Sequence, residues 1–113
     1  LSILRGVSGR VPEAVDLARR SVELAPLSHY CQYAYGRALV ASGRFESAVP
    51  VLLEALKLDG NAPTSVDAGF RLGVACYNLD APKRARVAWE AVLRADTGHA
   101  GALTGIQMLD EGT

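Results

Sequence analysis

The stretch Ser8-Gly-Arg-Val-Pro-Glu-Ala-Val15 returns 34 positions later as Ser42-Gly-Arg-Phe-Glu-Ser-Ala-Val49. Ser, Gly, Arg and the Ala-Val pair are kept while the middle drifts. A turn that recurs at fixed spacing restricts the fold more than composition does, because each copy is one supersecondary unit that buries its apolar face against its neighbours. The echo extends along the chain. Ala14 is followed by Ala48 and then, 37 residues on, by Ala85; Gly36 is echoed by Gly73; Leu24, Leu58 and Ala95 close their segments equivalently. Three copies of one unit are present.

Within the middle copy, Tyr35, Leu39, Val49, Leu52, Leu53 and Leu56 recur at three- and four-residue steps, the period of a helix with one buried stripe. Ser42-Gly43-Arg44 breaks the pattern in two, and Gly43 suits the left-handed backbone that ends a helix. Pro12 and Pro82 fall at the start of the second helix of their copies, where a missing N–H costs nothing. No run alternates with the period of a strand. The spacing predicts helices over Leu1 to Val7, Pro12 to Ala25, Ser28 to Ser42, Phe45 to Asp59, Thr64 to Leu79, Pro82 to Asp96 and His99 to Leu109. Residues 61–65 insert three positions between the second and third copies, predicting a longer loop or an extra helical turn. Pro50 falls one turn inside its helix, where it removes a backbone hydrogen bond. Gly36 and Gly73, costly inside a helix by about 1 kcal/mol, come level with Ala48 and Ala85 on the returning helix, so small residues are expected to let the two rods approach closely.

The frame Gln32-x2-Tyr35-Gly36-x2-Leu39, Ala48-x3-Leu52, Ala55 and Gly60 resembles the tetratricopeptide repeat, whose signature is Trp-x2-Leu-Gly-x2-Tyr, Ala-x3-Phe and a final Pro. Gly69-x2-Leu72-Gly73-x2-Cys76, Ala85-x3-Trp89 and Thr97 follow the same frame, and Ala14-x3-Ala18 with Pro26 supplies an earlier half. Gln32 and Gly69 stand where the family prefers a large aromatic, and Gly60 and Thr97 where it prefers proline. The resemblance implies an all-α, right-handed superhelix of stacked antiparallel helix pairs. It divides the chain into a partial repeat 1–28, repeats 29–62 and 66–99, and a C-terminal partial repeat or capping helix 100–113. A first helix that starts partway through its repeat, with no initiator Met, points to an excerpt of a longer array or a processed piece.

Composition excludes several classes. The 113 residues suffice for one domain, half are apolar, and 12 basic side chains balance 12 acidic ones. Such a balance gives no electrostatic pull toward nucleic acid or an anionic membrane. No run reaches the roughly 18 apolar residues of a membrane span, and no leader pattern or targeting signal is present. Cys31 and Cys76 sit among small apolar residues without metal-ligand spacing, as buried free thiols do, which favours a reducing, cytoplasmic setting. His29 and His99 lie near helix starts two repeats apart with no ligand companions, so they are expected at the surface and no metal or cofactor is expected. No phosphate loop, nucleophile elbow or grouped Ser, His and carboxylate supports catalysis. Trp89 takes a large-residue position of a second helix and is expected in the core. Lys83, Arg84 and Arg86 crowd the first turn of a helix, where positive charge is unfavourable; they are expected to form a solvated face, with a contact for an acidic partner as the alternative.

In the family, the first helix of each pair lines a concave groove for extended peptides or helices. The matching face here carries Tyr33, Arg37 and Val40, then Phe70, Val74, Tyr77 and Asn78 at the 37-residue offset, with Tyr30, Asp67 and Arg71 nearby. Aromatics with polar tips suit protein recognition, and Arg is enriched in interfaces. The same aromatics also fit ordinary packing between neighbouring first helices, and both readings stay open at the level of sequence. A carboxylate-gripping subclass uses a Lys and Asn pair, whereas the corresponding places hold Tyr33, Ala34, Arg37, Thr104 and Gly105, which speaks against chaperone-tail recognition. The expectation is a non-catalytic adaptor that binds a protein or peptide segment. The alternative is a scaffold that forms homo-oligomers through its terminal helices.

Overall fold

The computed structural model describes residues 14–112, and over that range every regular element is helical. The described part of α1 covers 14–24; α2 spans His29–Ala41, α3 Phe45–Leu58, α4 Pro63–Asn78, α5 Pro82–Ala95 and α6 Ala100–Glu111. The helix expected over residues 1–7 and the Pro12 start of α1 lie outside the described residues. None of the described helices is long and apolar enough to cross a membrane.

Local chemistry sets the boundaries. Ser28 caps α2, its hydroxyl accepting from the Cys31 N–H at 3.3 Å. The helix ends in a Schellman turn: the Arg44 N–H donates to the Leu39 carbonyl at 2.8 Å and the Gly43 N–H to that of Val40 at 3.0 Å, with Gly43 at φ 79°. Helix α4 ends in the same way, the Ala81 N–H on the Cys76 carbonyl at 2.9 Å and the Asp80 N–H on that of Tyr77 at 3.1 Å, but the left-handed residue is Asp80, at φ 60°. The repeated turn is thus a repeated hydrogen-bond pattern, kept in the last copy where the glycine is not. The three inserted residues extend a helix: α4 starts with Pro63 at its first position, one residue earlier than the spacing predicts, and runs for 16 residues against 13 in α2. Before it, the Asp59 carboxylate accepts from the Asn61 N–H at 2.9 Å, and the Asp96 carboxylate repeats the turn with Gly98 at 3.2 Å.

The short turns fold α3 back on α2 and α5 back on α4, and α4 packs against α2, α3, α5 and α6. First helices α2, α4 and α6 therefore form one side and second helices α3 and α5 the other. The core is built from Leu39, Leu52, Ala48, Ala85, Trp89 and Val92, with Val15 of α1 and Leu109 of α6. The glycines behave differently from the sequence expectation. The space a Cβ would fill on Gly36 lies 2.5 Å from Leu52 Cδ2, and on Gly73 it lies 2.5 Å from Trp89 Cδ1. Each glycine thus seats the large side chain one turn beyond the alanine, and Ala48 and Ala85, both fully buried, are not its nearest neighbours. A missing methyl admits an indole or isobutyl group.

His29 corrects the expectation of a surface histidine. It is 6 % exposed and bridges two repeats, Nδ1 donating to the Ala55 carbonyl at 2.7 Å and Nε2 meeting the Thr64 hydroxyl at 2.6 Å. His99 does sit at a helix start, where its Nδ1 accepts from the Ala102 N–H at 3.1 Å and caps α6. No grouping of three metal-ligating side chains occurs among the described residues.

Candidate functional site

The inner side of α2, α4 and α6 separates into two basins. The first, of about 590 Å³, lies where Tyr33, Arg37 and Arg71 stand over a floor of alanines that includes Ala14 and Ala18 of α1. Ala14 and Ala18 of α1 share this lining with Ala34, Ala38 and Ala41 of α2. Val40, expected on the open face, is only 8 % exposed and joins the core with Val15 and Leu39.

Charge in this basin is organised around Asp67. Its Oδ2 accepts from the Tyr33 hydroxyl at 2.5 Å and from Arg71 Nε at 3.2 Å, tying α2 to α4. Burial pushes the Tyr33 hydroxyl pKa up, the Asp67 hydrogen bond adds to the shift, and neighbouring Arg37 opposes it. The Tyr33 ring lies parallel to that of His29 with centroids 6.2 Å apart, and Tyr30 meets His29 edge-on at 5.3 Å. The Asp67 carboxylate is therefore neutralised within the fold. Arg37 is exposed and has no carboxylate partner among the described residues, which leaves the basin positive.

The second basin, of about 450 Å³, is an apolar cleft between α4 and α6 lined by Phe70, Val74, Tyr77 and Asn78 on one side and by Gly101, Thr104 and Met108 on the other. Trp89 reaches through from α5 to form its floor, only 2 % exposed, with Nε1 donating to the Phe70 carbonyl at 3.1 Å. Phe70 is half-buried, packed on Gly101 and tilted against His99 at 5.1 Å, so part of it is structural, as the packing alternative has it. Tyr77 and Asn78 are exposed, and the Asn78 amide donates to the Val74 carbonyl at 2.8 Å.

The sequence-derived residues are therefore divided. Tyr33, Arg37, Asp67 and Arg71 belong to the charged basin, Phe70, Val74, Tyr77 and Asn78 to the apolar one, Tyr30 to the exposed end of α2, and Val40 to the core. Sequence reasoning named Thr104 and Gly105 only as clamp positions and left the rest of the α6 wall and the Trp89 floor out of the groove. The signal was present: Gly101 and Gly105 recur one turn apart, and a Cβ on either would lie 2.6 Å from Phe70 or Trp89.

The tetratricopeptide repeat family model matches residues 33–100. No curated protein matches the sequence. Among solved structures, MamA from MSR-1 superposes with a TM-score of 0.80 at 25 % identity over 99 % of this chain, which spans 63 % of that one. The first tetratricopeptide repeat of Spaghetti (RPAP3), bound to the HSP90 peptide SRMEEVD, gives 0.84 at 18 % identity, covering 96 % of this chain and 83 % of that one. The Sgt2 domain from Aspergillus fumigatus gives 0.80 at 22 % identity, covering 96 % and 72 %.

Proposed function

The chain belongs to the tetratricopeptide repeat family, and from that premise we propose that it is a non-catalytic interaction module whose inner face receives a peptide or helix of a partner protein. Residues 29–62 and 66–99 are its two complete repeats in this reading. One observation carries it: a positive basin and an apolar cleft lie side by side on the first helices, with Tyr30, Arg37, Tyr77 and Asn78 open to solvent between and around them. The bound peptide of the RPAP3 structure supports a segment as the occupant, although only the fold is shared with that protein.

Magnitudes define what the segment must look like. An apolar side chain filling the cleft contributes about 1.5–3 kcal/mol, and a carboxylate on exposed Arg37 about 0.2–1 kcal/mol. Their sum falls short of the roughly 8 kcal/mol of a micromolar complex. The partner segment therefore spans both basins, presenting an acidic group to Arg37, an apolar anchor to the cleft and further contacts to Tyr30 and Tyr77.

Selection of random displayed peptides on the immobilised protein tests this. Selected peptides should carry an acidic and an apolar residue, and Arg37→Ala combined with Tyr77→Ala should weaken them about tenfold or more with the helical circular dichroism unchanged. Unchanged affinity in that variant refutes the site. Self-association is a second reading, resting on Leu103 and Met108, which stand exposed on α6. Light scattering across a dilution series supports it by a stable assembly and removes it by a monomer.

A further inference from the structure

The outer side of the array carries a trough that the inner-face reading does not use. Helices α3 and α5 do not approach one another, because α4 lies between them. The gap is floored by Leu72 and Cys76 and walled by Val49 and Leu53 of α3 and Val87 of α5, enclosing about 520 Å³. Leu72, Val87 and Ala88 are shared with a further stretch of about 270 Å³ that continues past Leu56, Ala91 and Ala95. The trough thus follows α5, whose 14 residues span ~21 Å. Leu53 is 51 % exposed and Val87 64 %, large apolar side chains on outward faces where a solvated helix presents polar ones.

One end of this trough is basic. Lys83 and Arg84 line it, and neither has a carboxylate partner among the described residues; Arg86, by contrast, is bound to Asp110 of α6. Among the described residues no acidic side chain lines either stretch. The cluster stands out in a chain with as many acids as bases, and it is held at the positive end of α5, where an incoming anion relieves repulsion. The walls are helices whose backbone groups are already paired, so an extended peptide would find no edge to hydrogen-bond and would leave its own N–H and C=O groups over apolar side chains. A helix satisfies its own backbone.

We propose that this trough is a second docking site, for an amphipathic helix of a partner protein whose apolar stripe lies on Leu53, Leu72 and Val87 and whose acidic end reaches Lys83 and Arg84. The probes are labelled synthetic helices with a leucine stripe and glutamates grouped in the first or the last turn, with lysine-for-glutamate counterparts as controls, followed by fluorescence anisotropy. At least one glutamate helix should bind saturably. Lys83→Glu with Arg84→Glu should weaken it about tenfold or more, and either Leu53→Asp or Val87→Asp, both at exposed positions, should weaken it comparably in protein of unchanged helicity. Arg37→Ala with Tyr77→Ala should leave it intact, which separates this site from the inner face. The proposal is overturned if neither glutamate helix binds, if the lysine counterparts bind as well, or if only the inner-face variant loses binding.

Discussion

Replacing Gly73 by alanine sets two effects against each other. In an open helix the exchange stabilises by about 1 kcal/mol. Here the new methyl would lie 2.5 Å from Cδ1 and 2.6 Å from Cε2 of Trp89, a full ångström inside the optimum for carbon contacts of about 3.5–4.0 Å. The indole has no room to retreat, because its Cε3 lies 2.6 Å from where a Cβ on Gly105 would stand, and its Nε1 is anchored on the Phe70 carbonyl. Overpacking of this kind costs about 1–3 kcal/mol, and if the ring shifts enough to orphan its buried N–H another 1–3 kcal/mol or so is lost. The net expectation is a loss of up to about 2 kcal/mol if the indole keeps its hydrogen bond and of about 1–5 kcal/mol if it does not, or roughly 4 °C in Tm per kcal/mol for a chain of this length. Trp89 is the only tryptophan, so its emission during urea unfolding reports directly on the displaced ring, with circular dichroism following the helices. A Gly73→Ala protein at least as stable as its parent, with unshifted emission, would refute the argument that glycine is there to seat the indole.

The left-handed turn at Asp80 predicts that Asp80→Gly stabilises by about 0.5–1 kcal/mol, read as a raised urea midpoint, while Gly43→Ala at the equivalent position destabilises by about 1 kcal/mol. His29→Ala and Thr64→Val should each destabilise, and their double-mutant cycle should show a coupling of about 0.5–1.5 kcal/mol, since the two side chains bond each other across the repeats. The raised pKa of Tyr33 favours its neutral form in the fold, so its contribution is complete below the ordinary tyrosine value of about 10 and is lost as pH rises through the folded value. Stability measured on the alkaline side should therefore fall more steeply in the parent than in Tyr33→Phe; identical slopes would contradict the assignment.

The helices were legible in the sequence because their stripes, breaks and first-turn prolines repeat, so each copy corroborates the others. The turn after α4 was harder to see: its backbone pattern survives a change from glycine to Asp80, which carries no glycine signal. Pairing across helices was legible only to within a turn. Height arguments placed Gly36 opposite Ala48, whereas side chains lean toward the N-terminus of their helix and Leu52 fills the gap instead. His29 looked like a surface residue because its partners, the Ala55 carbonyl and Thr64, belong to the end of one helix and the start of another. Of the candidate site, Tyr33, Arg37, Phe70 and Tyr77 were found through the 37-residue offset. The same offset misplaced Val40, since it relates neighbouring copies and does not show which side chains cover a position. The Asp67 network needed coordinates, because it joins residues 34 apart whose side chains are placed by packing.

The most direct test of the inner-face account is to map a selected peptide on isotope-labelled protein by amide chemical shifts. Changes should gather on α2, α4 and α6, around Arg37, Arg71, Val74, Tyr77 and Thr104. Saturable binding whose shifts fall only on α3 or α5 would contradict it.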